Sequence, residues 1–360
     1  MAQRSNLDSF AGRARSTLLW CVLVLCISPL PGGWLIDHCP VRIRFPEAAA
    51  TVSSWARANP QPDILILGSS RLGSFVRTAD LAAKTRELVG EDPPLFFNST
   101  IPGGDPISIE FLTRQLFASR SARPRLVVLE TNLDLLARDN LYFKGVITQI
   151  MTTADIPKYF GDILLYHDGV SRLLSSRLTP FFRHRSHFLA WANDTVSEMF
   201  RQVGPPGASH ETEQLLDWWH ELATSKPDAL PPEERLRIAL RRFEIHLRHY
   251  QLAGATSSAF EKTIAMLHDQ GCAVILVEPP LSSAHRAFFN TAMQTQFEAF
   301  IQRLHSSYGC EFFNYSDRLS DSNFSDNHHA NADGSLRFTE LLAHEVVAPA
   351  WRNLETKKKE

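Results

Sequence analysis

Cysteine is sparse, with five residues in a chain of 360. Cys21 and Cys26 fall inside an apolar run and read as small hydrophobes. Val24-Leu25 ahead of Cys26 lacks the small residue that a lipid-attachment box needs. Cys39, Cys272 and Cys310 remain, an odd number, so at least one is unpaired or pairs between chains and no dense disulfide framework is possible. No Cys or His spacing has the form of a zinc site, and neither metal nor cofactor is expected. An excess of one charge is also missing. Lys and Arg number 37 against 39 Asp and Glu, a formal net charge of -2, so no global field favours nucleic acid. The terminal Lys357-Lys358-Lys359 run reads as a solvated tail. Internal repeats and low-complexity tracts are absent, which excludes a repeat array. Four Asn-x-Ser/Thr matches, at Asn98, Asn193, Asn314 and Asn323, would matter only in a eukaryotic secretory pathway.

What is present is ordinary in bulk: 44% hydrophobic and 21% charged residues, enough to bury a large core. The N-terminus stands apart. Arg4, Arg13 and Arg15 precede the apolar run from Leu18 to Ile27, which continues past Pro29, Pro31 and Gly32-Gly33 to Trp34-Leu35-Ile36. Positive residues ahead of such a run hold the first segment in the cytoplasm and send the chain beyond it outward. No small-x-small cleavage site comes cleanly after it, and stretched to Ile36 the run reaches spanning length. The expectation is a cytoplasmic tail and uncleaved transmembrane helix over 1–36, with a removed signal peptide as the alternative. The rest of the chain would then lie outside the cytoplasmic membrane.

After a connector over 37–61, continuous apolar runs suit strands buried on both faces of a parallel sheet. They are Asp63 to Leu67, Pro94 to Asn98, Arg125 to Glu130, Cys272 to Val277 and Cys310 to Phe313. Helical spacing lies between them: Ile109, Leu112 and Leu116 after the Asp105-Pro106 start signal, then Phe260, Ile264 and Leu267, then Phe297, Ile301 and Leu304. The alternation predicts an α/β fold, a three-layer sandwich with a central parallel sheet, over 62–139 and 251–350, with 351–360 as a tail. Residues 140–250 are rich in aromatics, Arg and His and read as a largely helical insertion capping the site. Its Trp191, Trp218 and Trp219 offer a wall for a sugar or, more simply, helix core. Cys272 and Cys310 each open a strand after a Gly, and neighbouring strands would leave them either bonded or as two buried thiols.

Reactive groups in such a sheet collect at the carboxyl ends of the strands. Here those ends carry Gly68-Ser69-Ser70, Asn98 with Gly103-Gly104, Glu130-Thr131-Asn132 and Glu278-Pro279-Pro280, and a late segment runs from Ser325 to Gly334. A serine past the first strand with a late Asp and His supplies a nucleophile, its base and an orienter. Each also has a plain reading: Gly-Ser-Ser as a turn, Asp-x-x-His as a helix cap with a surface histidine, and Asn132 bonded to its own turn. Their occurrence in chain order at successive strand ends favours the catalytic reading.

On those residues the chain resembles the SGNH, or GDSL-like, hydrolase superfamily. More closely it resembles the membrane-associated branch that acylates cell-envelope polymers, which includes the alginate O-acetyltransferases and the D-alanyl-lipoteichoic acid transfer protein. The opening block matches Ile66-Leu67-Gly68-Ser69-Ser70-Arg71, and the closing Asp-x-x-His-x-Asn-x-x-Gly matches Asp326, His329, Asn331 and Gly334. The resemblance implies a flavodoxin-like sandwich with Ser70 as nucleophile, His329 rather than His328 as base, and Asp326 as orienter. It implies an oxyanion hole from the Ser70 N–H, Gly103 or Gly104, and the Asn132 side chain. It covers about 63–135 and 257–345, with two departures. Ser69 stands where the hydrolases commonly have Asp, and Glu130-Thr131-Asn132-Leu133 where many have Gly-x-Asn-Asp. The function implied is O-acyl transfer, acetyl above all, to an exported glycan through an acyl-serine, with a polytopic membrane acyl-donor protein as partner. An esterase hydrolysing an acyl ester needs the same triad, and a non-catalytic glycan-binding scaffold on a decayed SGNH fold is the third reading.

Overall fold

A computed structural model describes residues 16–20, 23–24, 27, 29–90, 92–180, 184–187, 189, 192 and 231–359. Arg4, Arg13, Arg15, Cys21, Cys26, Trp191 and the Trp218-Trp219 pair lie outside the described residues.

The five apolar runs form five strands: β1 Ile64–Leu67, β2 Phe96–Asn98, β3 Leu126–Glu130, β4 Ala273–Glu278 and β5 Glu311–Asn314. They make one sheet in the order β2-β1-β3-β4-β5, with every pairing parallel. Side chains alternate across the pleat. Ile64, Ile66, Leu126, Val128, Ile275 and Val277 pack in one cluster with Leu81, Phe338, Leu342, Val346 and Trp351. The helices covering this face are thus α2 Thr78–Val89, α6 Ala332–Leu342 and α7 Ala348–Lys359, with the short α1 Ser70–Phe75 beneath them contributing Leu72 and Phe75. Leu65, Leu67, Val127, Leu129 and Leu276 point the other way and are equally buried. There α4 Gly254–Asp269 packs on β4 and on α3 Pro106–Ser119, and α5 Thr291–Tyr308 packs on β5. Asp105 caps α3 as its sequence signal implies, accepting from the N–H groups of Ile107 at 2.7 Å and Ser108 at 3.0 Å. Gly309 ends α5 in the left-handed region at φ +69°, where a side chain would be strained.

The chain divides into two compact units, Met1–Pro46 with Ile147–Pro206 and Glu47–Val146 with Gly207–Glu360. The division falls inside the segment 140–250, so the helix Pro232–Leu247 belongs with the sheet unit. The connector 37–61 contains helix. Its polar stretch Ser53 to Arg57 ends the helix Pro46–Arg57, whose Ala48, Thr51 and Trp55 share one buried face. In the smaller unit, helix Pro29–His38 packs on Gly169–Leu178, and the buried Arg177 reaches Asp37 at 2.9 Å and the Met151 carbonyl at 2.7 Å. Gly32 permits that approach, because a Cβ there would lie 1.6 Å from the Arg177 carbonyl oxygen. Among the described residues no helix is long and apolar enough to cross a membrane.

Cys272 and Cys310 do not bond; with Cys39 they are free. Their strands are neighbours, but the register is offset. Ile275 stands opposite Glu311, so Cys310 falls level with Val274, two residues beyond Cys272. Two residues along a strand and one strand across put the backbones roughly 8 Å apart, beyond disulfide reach. Burial pushes both thiols up to about 11.

Candidate active site

The carboxyl end of β1 turns sharply into α1. Gly68 is obligatory there, since a Cβ would come within 2.6 Å of a Glu130 carboxylate oxygen. Ser69 caps α1, accepting from the Arg71 N–H at 3.1 Å, and is itself held from β3. Its N–H and hydroxyl donate to the two oxygens of Glu130 at 2.5 and 3.0 Å. The two departures from the hydrolase pattern therefore meet each other: an acid at 69 would oppose Glu130, whereas Ser69 supplies two donors to it. Burial pushes the Glu130 carboxyl up, against the pull of Arg71 and those donors.

Ser70 comes next as the first residue of α1, so its N–H has no acceptor within the helix. Its Oγ lies 3.0 Å from His329 Nε2, and His329 Nδ1 lies 2.7 Å from Asp326 Oδ2. The other Asp326 oxygen accepts the N–H groups of His328 and His329, each at 2.8 Å. Burial would raise the Asp326 carboxyl, but the two histidines and these hydrogen bonds hold it well below its ordinary range. It therefore stays ionised and fixes the ring so that bare Nε2 faces the serine. The loop that presents Asp326 and His329 is closed by Ser325 N–H on the His329 carbonyl at 2.9 Å, and Asn331 caps α6 beyond it.

Of the two candidate glycine donors, Gly104 is committed: its N–H donates to the Ile101 carbonyl at 3.2 Å. Gly103, at φ +61° and half-buried, has an N–H engaged by no acceptor among the described residues. Asn132 is fully buried, and neither polar atom of its amide has a hydrogen-bond partner among the described residues. An amide left so costs about 1–3 kcal/mol, which disposes it to bind whatever polar group enters. Donor atoms of Asp326, His328 and His329 lie within 4.8 Å of one another, the spacing of a metal site. Both His329 nitrogens are already hydrogen-bonded, as is the carboxylate, so an ion would have to break the Ser70 and Asp326 contacts.

Several site groups carry little mark in the sequence. Arg71 and Asp134 form a buried bidentate pair at 3.0 and 2.8 Å, and His285, Asn327, His328 and Tyr142 continue from it. The single available signal is charge just beyond two strand ends, in Arg71 and Asp134. Tyr142, His285 and Phe243, whose ring meets His285 and His328 edge-on, carry none.

Glu278 ends β4, nearly inaccessible, and burial aided by Asp134 pushes its carboxyl up to about 8. Because the folded value lies above the ordinary 4.5, its contribution to stability is full below that pH and is lost as pH rises toward about 8. Glu278→Gln is expected to remove this loss. The variant's advantage in thermal unfolding should grow between about pH 5 and pH 9, by roughly a few kcal/mol. A constant difference across that range would show that the carboxyl titrates normally.

No protein-family model and no curated protein matches the chain. Among solved structures it is similar to a Streptococcus pneumoniae protein assigned provisionally as a platelet activating factor. Identity is 12%, over 87% of this chain and 97% of that one, with a TM-score of 0.37. A Bacteroides fragilis protein assigned provisionally as an acylhydrolase is similar at 11% identity, over 80% and 87% of the two chains, with a TM-score of 0.32. Likenesses this distant carry no statement about chemistry.

Proposed function

We propose that this chain is an SGNH-type serine enzyme that takes an acyl group, acetyl above all, from an ester onto Ser70 and passes it to a hydroxyl of an exported glycan. One observation carries the reading: Ser70, His329 and Asp326 form a continuous relay at 3.0 and 2.7 Å at the carboxyl edge of a parallel sheet. His329 withdraws the Ser70 proton as Oγ attacks the acyl carbonyl, then returns it to the leaving group. The Ser70 N–H, the Gly103 N–H and the orphaned Asn132 amide supply the donors for the tetrahedral oxyanion, the term that usually dominates such catalysis. Gly104 drops out because its N–H is already used.

The glycan acceptor, the membrane anchor, placement outside the cytoplasmic membrane and a polytopic acyl-donor partner rest on the resemblance to the envelope-acylating branch. An intact relay speaks against a decayed scaffold. Incubation with a small aryl acetate tests the chemistry: aryl alcohol should appear in a rapid burst, with one acetyl group on the peptide containing Ser70. Adding an acceptor oligosaccharide should then accelerate turnover and yield acetylated sugar. Fast hydrolysis that no glycan diverts would replace transfer with an esterase activity, and no acetyl-Ser70 would end the reading.

A further inference from the structure

Beside the relay runs a second line of buried polar groups, and its hydrogen bonds have one direction. Arg71 donates to both oxygens of Asp134 at 3.0 and 2.8 Å. Burial raises that carboxyl, yet the guanidinium more than reverses the effect, so Asp134 is an anion that only accepts. Its Oδ2 lies 3.4 Å from His285 Nε2, an electrostatic approach, and that nitrogen has no hydrogen-bond partner among the described residues. The nearby anion favours the His285 proton on Nε2. Burial lowers the affinity of this ring for a second proton, which leaves Nδ1 bare. Nδ1 accepts from the Asn327 amide nitrogen at 2.6 Å, which fixes that amide's orientation. The Asn327 oxygen then accepts from His328 Nδ1 at 2.7 Å. His328 is also kept neutral by burial, so its Nε2 is bare and accepts the Tyr142 hydroxyl at 3.3 Å.

The direction matters at the far end. Tyr142 spends its only proton on His328, so toward the site its oxygen offers lone pairs. The ring lies beside Gly103, 3.7 Å from where a Cβ would stand, and His328 stacks against His329 with ring centroids 4.0 Å apart. Phe243 covers the line edge-on, with centroids 4.6 Å from His285 and 5.1 Å from His328, which shields it from water.

We propose that Tyr142 is an acceptor-recognition residue: its oxygen receives a hydrogen bond from a hydroxyl adjacent to the one that reacts, so the site selects vicinal diols over simple alcohols. This rests on the acyl-serine reading above. The reacting hydroxyl has one proton, and His329 Nε2 must take it as the hydroxyl oxygen attacks the acyl carbonyl. That proton then goes to Ser70 Oγ as its bond to the acyl carbon breaks, giving the new ester and free serine. Tyr142 cannot share that proton, so it engages a second O–H. Neighbouring sugar hydroxyls present such a pair, and water presents its own second O–H.

The test uses the full chain, nitrophenyl acetate as donor, and 1,2-propanediol or 1-propanol as acceptor. The native enzyme should form diol ester over propyl ester by about tenfold at equal concentration. Tyr142→Phe should bring the ratio near the statistical value of about two set by two hydroxyls against one, while melting near the native temperature. A native ratio near two overturns the proposal without any variant, as does a tenfold ratio that survives in Tyr142→Phe. Ser70-dependent release of acetate with no alkyl ester from either alcohol also overturns it, but leaves an esterase. Loss of Ser70 dependence overturns the functional reading as well.

Discussion

Ser70→Ala is expected to lower turnover of an aryl acetate by roughly four to six orders of magnitude and to leave the fold intact. The hydroxyl touches His329 Nε2 at 3.0 Å at the end of the relay, so its loss removes the nucleophile and disturbs nothing in the core. The change in stability should stay within about 1 kcal/mol, since no cavity or unpaired charge is created. Steady-state release of nitrophenol, set beside thermal unfolding, checks both statements. Residual activity within about a hundredfold of native would mean that another group attacks the ester.

Asp134→Ala should instead act through stability. Arg71 and Asp134 are almost wholly buried, at 3% and 4% side-chain exposure. Removing the carboxylate leaves the guanidinium without its counter-charge and takes away the anion 3.4 Å from His285 Nε2. Breaking a buried pair from one side costs about 3–5 kcal/mol, and a domain of this size should melt about 10 °C lower. Arg71 adjoins the nucleophile directly, so turnover should fall as well. A double replacement, Arg71→Met with Asp134→Leu, should recover part of the stability because no charge is left unpaired. The pH dependence has a definite sign. The folded Asp134 carboxyl lies below its ordinary value, so its contribution is present at neutral pH and is lost as pH falls below the usual carboxylate range. Acid unfolding of Asp134→Ala should lack that component. Equal melting temperatures for native and single variant would show that the pair contributes nothing.

Much of the sandwich is legible in the chain. Four of the strands are runs of Ile, Leu, Val or Phe largely buried on both faces, as at Ile64-Leu65-Ile66-Leu67, the pattern of parallel sheets, whereas the edge strand β5 is half-exposed because nothing pairs beyond it in the sheet. Helices announce themselves by three- and four-residue spacing and by caps such as Asp105, because both signals are local. Ser70 can be singled out because strand ends are where such sheets expose reactive groups, whereas Asp326 and His329 stand out through the resemblance of the late Asp-x-x-His block to the SGNH pattern.

Other features are decided only by the folded chain, for a common reason. A two-residue register offset between β4 and β5 separates Cys272 from Cys310, and no local pattern encodes register between strands that a helix connects. The choice of Gly103 over Gly104 turns on which N–H the Ile101 carbonyl takes. Ser69 and Glu130, each an oddity by itself, become one clamp when β1 and β3 pair. The line from Arg71 to Tyr142 joins residues up to 257 positions apart in the chain, from Arg71 to His328. Hydrophobic periodicity tells a residue which side is inside. Which buried donor meets which acceptor is a contact between distant segments, and packing alone brings those together.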